Sequence, residues 1–116
     1  ARAREIDPVG VGVAELLDSD PTRPLIDVAE HVGLSERQFR RRVEDAVGYA
    51  PKTLARILRF RRFLRAARAA GPGRHLAALA AEAGYADQAH LTRESRELSG
   101  LPPAALLRWE DELLNP

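Results

Sequence analysis

Leu25-Ile26-Asp27-Val28-Ala29-Glu30-His31-Val32-Gly33-Leu34-Ser35-Glu36-Arg37-Gln38-Phe39 carries the pattern from which the fold follows. Leu25, Val28, Ala29 and Val32 recur at i, i+3, i+4 and i+7, which is one face of a short helix. Gly33 ends that helix, because glycine enters a left-handed turn without steric cost. Ser35, with Gln38 three residues on, has the form of a capping box, so a new helix opens there and runs to about Val47. Ala29 is small where two helices approach closely, and Phe39 anchors the second helix to the core. A helix, a glycine turn and a capped helix make up helix-turn-helix spacing, whose second helix can lie in a DNA major groove.

The pattern occurs twice. Shifted by 51 residues, Leu25, Val28, Ala29, Val32 and Gly33 fall on Leu76, Leu79, Ala80, Ala83 and Gly84. Shifted by 52, Ser35, Phe39, Arg41, Gly48, Pro51 and Leu54 fall on Asp87, Leu91, Arg93, Gly100, Pro103 and Leu106. The one-residue change falls inside a turn, where an insertion is cheap. Coinciding caps, core positions and breakers predict the internal duplication of a three-helix unit.

Outward from these two stretches the chain reads as helices and breaks. Asp7-Pro8 caps a first helix to Leu17, ahead of Asp18-Ser19-Asp20-Pro21. Pro51 opens a long fourth helix to about Ala70, which Gly71-Pro72-Gly73 stops. Asp87 caps a sixth helix to about Leu98, and Pro102-Pro103 open a seventh towards Leu114. With no alternating strand pattern, the expected fold is all-α: seven helices, with two helix-turn-helix lobes joined by a long linker helix. The first lobe is residues 1–50 with its recognition helix at about 35–47, and the linker is 51–70. The second lobe is 71–116 with its recognition helix at about 87–98. Along the fourth helix the apolar stripe changes face, from Leu54, Ile57 and Leu58 to Phe60, Phe63, Leu64 and Ala67. An ordinary surface helix keeps one stripe. A switch suits a strut that packs first on one lobe and then on the other.

Charge is concentrated. From Arg37 to Arg68 there are eleven basic residues against Glu44 and Asp45, a net +9 inside a chain of net +1. Such a cationic middle fits a polyanion. On the third helix Phe39, Val43, Ala46 and Val47 share one face. Arg37 and Arg41 lie opposite, flanked by Arg40 and Gln38. On the sixth, Leu91, Ser95 and Leu98 face inward, while Ala89, His90, Arg93 and Arg96 face outward beside Gln88 and Thr92. The outward arginines are donors suited to guanine edges and phosphates.

Several classes of function are set aside by composition. There is no Cys, so no disulfide, thiolate metal site or Cys nucleophile. His31, His75 and His90 are scattered, with no ligand spacing, so no metal or cofactor is expected. No phosphate loop or nucleophile motif is present, which argues against an enzyme. No apolar run is long enough to cross a membrane, and no signal peptide is evident. Trp109 with Leu106, Leu107, Leu113 and Leu114 reads as a core cover, and Glu110-Asp111-Glu112 as a solvated helix end. A second reading of the Arg faces is a helical protein-interaction module with an acidic partner.

Leu79-Ala80-Ala81-Glu82-Ala83-Gly84-Tyr85-Ala86-Asp87-Gln88-Ala89-His90-Leu91, followed by Gly100-Leu101-Pro102-Pro103, resembles the signature of AraC-type transcription regulators. The resemblance spans roughly Leu25 to Arg108. It implies a bacterial, cytoplasmic regulator whose recognition helices enter successive major grooves of an asymmetric double-stranded DNA site. By position it implies DNA contacts for Arg37, Arg40 and Arg41 in the first lobe and Gln88, Ala89, His90 and Arg93 in the second. Family members usually carry Phe where this chain has Leu91 and Ser95, which implies a thinner core and weaker reading in the second lobe. The resemblance also implies an N-terminal sensor or dimerisation domain missing from this chain, an expectation matched by the absence of Met. RNA polymerase is a candidate further partner.

Overall fold

The computed structural model describes residues 8–19 and 23–114, and all regular structure among them is α-helical. The elements are α1 (Pro8–Ser19), α2 (Leu25–His31), α3 (Glu36–Val47), α4 (Pro51–Ala70), α5 (Leu76–Ala83), α6 (Gln88–Ser99) and α7 (Pro103–Leu114). The expected cap at Asp7 and the break at Asp20-Pro21 lie outside the described residues. No helix among the described residues is long and apolar enough to cross a membrane.

The chain divides into two compact units, Ala1–Leu58 and Arg59–Pro116, and the division falls inside α4. In the first unit Val13, Val28, Ala29, Phe39, Val43 and Leu54 form the core, with α1 and α2 both packed on α3. In the second, Phe60, Phe63 and Ala67 of α4 join Leu79, Ala80, Ala83, Tyr85, Leu91 and Leu107. Phe63, Leu91 and Leu107 are fully buried, each worth roughly 1.5–3 kcal/mol of apolar transfer.

The two helix turns are built alike. In the first, the Leu34 N–H donates to Ala29 O and the Gly33 N–H to Glu30 O, both at 3.0 Å. In the second, the Tyr85 N–H donates to Ala80 O at 3.0 Å and the Gly84 N–H to Ala81 O at 3.1 Å. Each is a Schellman closure, with a glycine at φ 73° or 102° and an apolar residue folding back onto the core. Gly48 and Gly100 close α3 and α6 by matching bonds to Glu44 O and Arg96 O, at 2.9 Å each.

Three inward positions differ from expectation. Leu98 is 36% exposed, because Glu94 and Ser95 take the inner face of α6. Trp109 and Leu113 are mostly exposed at 55% and 64%. The buried stripe of α7 runs through Pro103 and Leu107 and continues into Glu110 and Asp111, which turns Trp109 away from the core. Those two acids are correspondingly not a solvated end. Glu110 accepts two hydrogen bonds from Arg68 at 2.9 and 2.7 Å, and Asp111 accepts two from Arg74 at 3.1 and 3.2 Å.

Candidate nucleic-acid interface

α3 begins with the capping box that its sequence predicts. Ser35 Oγ accepts from the Gln38 N–H at 3.2 Å, and Gln38 Oε1 accepts from the Ser35 N–H at 3.0 Å. That start, with Phe39 and Val43 buried, fixes which face of α3 looks outward. Arg37, Gln38, Arg40 and Arg41 all emerge exposed, and Arg37, Gln38 and Arg41 line one recess. Arg37, Arg40 and Arg41 have no side-chain partner among the described residues.

α6 begins with Asp87, whose Oδ1 accepts from the His90 N–H at 2.7 Å. Gln88, Ala89, Arg93 and Arg96 are exposed, and His90 and Thr92 are half-buried. Arg93 and Arg96 also lack a side-chain partner among the described residues. Thr92 Oγ1 donates to Gln88 O at 3.0 Å and stays with its own helix.

Gln38 and His90 share a duty, which the capping-box pattern gives for Gln38 and which the sequence reading did not assign to His90. Each is the third residue of its helix and folds back to accept a backbone N–H. His90 Nδ1 takes that of Ala86 at 3.3 Å, the residue by which the second turn is longer. Their acceptor atoms are therefore occupied. What each can still offer outward is a donor, the Gln38 amide NH₂ and the His90 Nε2–H.

More than half of the basic residues of the cationic middle are engaged inside the protein. Arg59 pairs with Glu94 and Arg68 with Glu110. Arg42, Arg56, Arg62 and Arg65 are each engaged by another residue. Arginines without partners thus collect on α3 and α6, while those of α4 are largely committed to holding the fold.

One polar cluster was missed from the sequence. Glu94 is buried, and its carboxylate receives Arg59 Nε at 3.1 Å and Nη2 at 2.8 Å. The Arg59 guanidinium also lies 5.0 Å from the centroid of the Tyr85 ring. The hydrogen bonds that Arg59 donates to Glu94 hold its pKa above the ordinary value. Burial, and then the nearby Glu94 carboxylate, push the Tyr85 phenol above its own. The available signal was an acid three residues after the core residue Leu91, a position that demands a cation. Ser95, where a thinner core was expected, is fully buried and donates to Leu101 O at 2.6 Å. No group of three or more His, Asp or Glu among the described residues could hold a metal ion.

Two helix-turn-helix units, each presenting free arginines from its second helix, define a DNA-binding protein of the regulator class. A family model described as a helix-turn-helix domain matches residues 28–108. The chain belongs to that family, the AraC-type helix-turn-helix regulators. No curated protein and no solved structure matches it.

Proposed function

We propose that the protein reads double-stranded DNA sequence-specifically, with α3 and α6 as its recognition helices. The observation that carries this reading is the sorting of arginines. Arg37, Arg40, Arg41, Arg93 and Arg96 stand exposed and without side-chain partners among the described residues on those two helices, while every arginine of α4 except Arg61 has an internal partner. Arg41 and Arg93, at matching repeat positions, are the principal base readers through guanine O6 and N7. Arg37, Arg40 and Arg96 bind phosphate or neighbouring bases. Gln88 donates or accepts at a base edge, and Ala89 gives close apolar approach, suited to a thymine methyl. Gln38 and His90 act mainly as caps that hold each helix start, with their remaining donors turned to the backbone.

The lobes differ in sequence, so one chain reads a non-palindromic site. Two boxes one helical turn apart, about 10 bp or 34 Å, are what recognition helices in successive major grooves require. A bacterial cytoplasmic setting, an N-terminal sensor or dimerisation domain and contact with RNA polymerase complete the reading by family resemblance.

The test is selection from a random duplex library of about 30 bp near physiological salt, with competitor DNA. Competitor is essential because any cationic surface binds duplex DNA non-specifically. Enrichment of an asymmetric motif with two boxes about 10 bp apart is expected. Binding without enrichment of any motif would replace this reading with the protein-interaction one.

A further inference from the structure

The second recognition helix is held in a different way from the first. α3 buries Phe39 and Val43 against its core. α6 buries Leu91, Glu94 and Ser95, which is one apolar side chain and two polar ones. Apolar burial is non-directional. Leu91 sets how deeply α6 sits and leaves its rotation about its own axis loosely defined. Directional bonds must define it.

Ser95 Oγ supplies one locally, to Leu101 O at 2.6 Å, and Arg59 supplies those that reach α6 from another helix. Its Nε and Nη2 donate to the two Glu94 oxygens as a planar fork, a geometry that fixes angle as well as distance. On its other side the same guanidinium covers the Tyr85 ring. That ring meets His90 edge-on with centroids 5.1 Å apart, and His90 Nδ1 accepts from the Ala86 N–H at the start of α6. One network therefore runs from the middle of α6 to its first turn. Under the 52-residue shift the counterpart of Glu94 is Arg42, of opposite sign, so the repeated fold itself does not call for this acid.

A buried ion pair is seldom the cheapest way to gain stability, since apolar residues of similar size do as well or better. Its distinctive contribution is orientation. Successive residues of a helix are about 100° apart, so even a modest roll of α6 would swing Arg93 and Ala89 off their base edges. We infer that Arg59 and Glu94 are positioning residues that set the rotation of α6 and so the base preference of the second lobe. The inference rests on reading α6 as a recognition helix.

The experiment compares the wild type with Arg59→Lys, Glu94→Gln and the double variant Arg59→Met with Glu94→Met, all in the full chain. Each is melted, passed through the duplex selection and examined by amide NMR. Arg59→Lys keeps the charge and loses the fork. The double Met variant removes the pair while filling its space with apolar atoms, which guards against simple unfolding. The expected result is a folded protein in each case, an unchanged preference in the α3 box, and about a tenfold loss of preference in the α6 box. Wild-type preference in the α6 box for Arg59→Lys or for the Met pair overturns the inference. Equal loss in both boxes does the same, because it marks a general loss of fold. A wild type that enriches no motif is the separate failure of the DNA-reading proposal. The amide spectra then decide alone: Arg59→Lys is expected to move the signals of residues 88–93 and leave those of residues 37–41, and unmoved α6 signals overturn the inference.

Discussion

Arg41 and Arg93 are the outward arginines that the repeat places at equivalent positions of α3 and α6. They are exposed, have no partner among the described residues, and stand opposite the buried Phe39 and Leu91. Truncating either to Ala should cost roughly 1–3 kcal/mol of binding to the selected duplex and relax preference at one or two positions. Titrations against duplexes carrying single base changes measure both effects. If both variants discriminated target from scrambled duplex as the wild type does, the face assignment would be wrong. These arginines were legible in the sequence because periodicity alone tells inward from outward. His90 was legible only by half. Its place on the outer face was readable, whereas the turn of its side chain back onto the Ala86 N–H depends on torsions that spacing does not encode. Glu94 was missed for a related reason: an acid on an inner face makes sense only once its Arg59 partner, 35 residues away, is known.

Elements held by local chemistry were read almost residue for residue. The capping box of α3, the Asp87 cap of α6 and the glycine closures at Gly33, Gly48, Gly84 and Gly100 each involve groups within five residues of one another. α7 shows where such reading fails. Its apolar residues suggested an inward Trp109, yet Arg68 and Arg74 draw Glu110 and Asp111 to the inner side and leave Trp109 outside. The Arg68 hydrogen bonds hold the Glu110 pKa below its ordinary value. A carboxylate depressed in the folded state contributes stability above its unfolded pKa and loses it as pH falls through the folded one. Arg68 is about half exposed, so screening limits the pair to at most about 1 kcal/mol. Urea melts of wild type and Glu110→Gln should therefore differ slightly near neutral pH and converge as the solution is taken to about pH 3. A gap that persisted in acid would show that the substitution acts through packing and not through the ion pair.

At the scale of the whole molecule, the duplication was the most legible feature, because breakers and caps repeat where surface residues are free to change. The charge count says less by comparison. The net +9 between Arg37 and Arg68 fits a polyanion binder without showing which of its cations are free. In the folded protein six of those eleven basic residues, Arg42, Arg56, Arg59, Arg62, Arg65 and Arg68, are engaged internally. Sequence counts cannot see this, since pairing is a tertiary property, and the consequence can be measured through salt. Each phosphate neutralised by a free cation releases counterions, and log K falls against log salt with a slope of about −0.9 per contact. The unpartnered cations of α3 and α6, with Lys52 and Arg61, set a ceiling for direct contacts, so a slope of about −4 to −6 is expected. If the whole basic segment met DNA, the slope would approach about −10. Titration of the selected duplex at several salt concentrations separates the two. A slope near the steeper value would mean that the arginines of α4 leave their internal partners when DNA arrives, and the division of labour between α4 and the recognition helices would have to be abandoned.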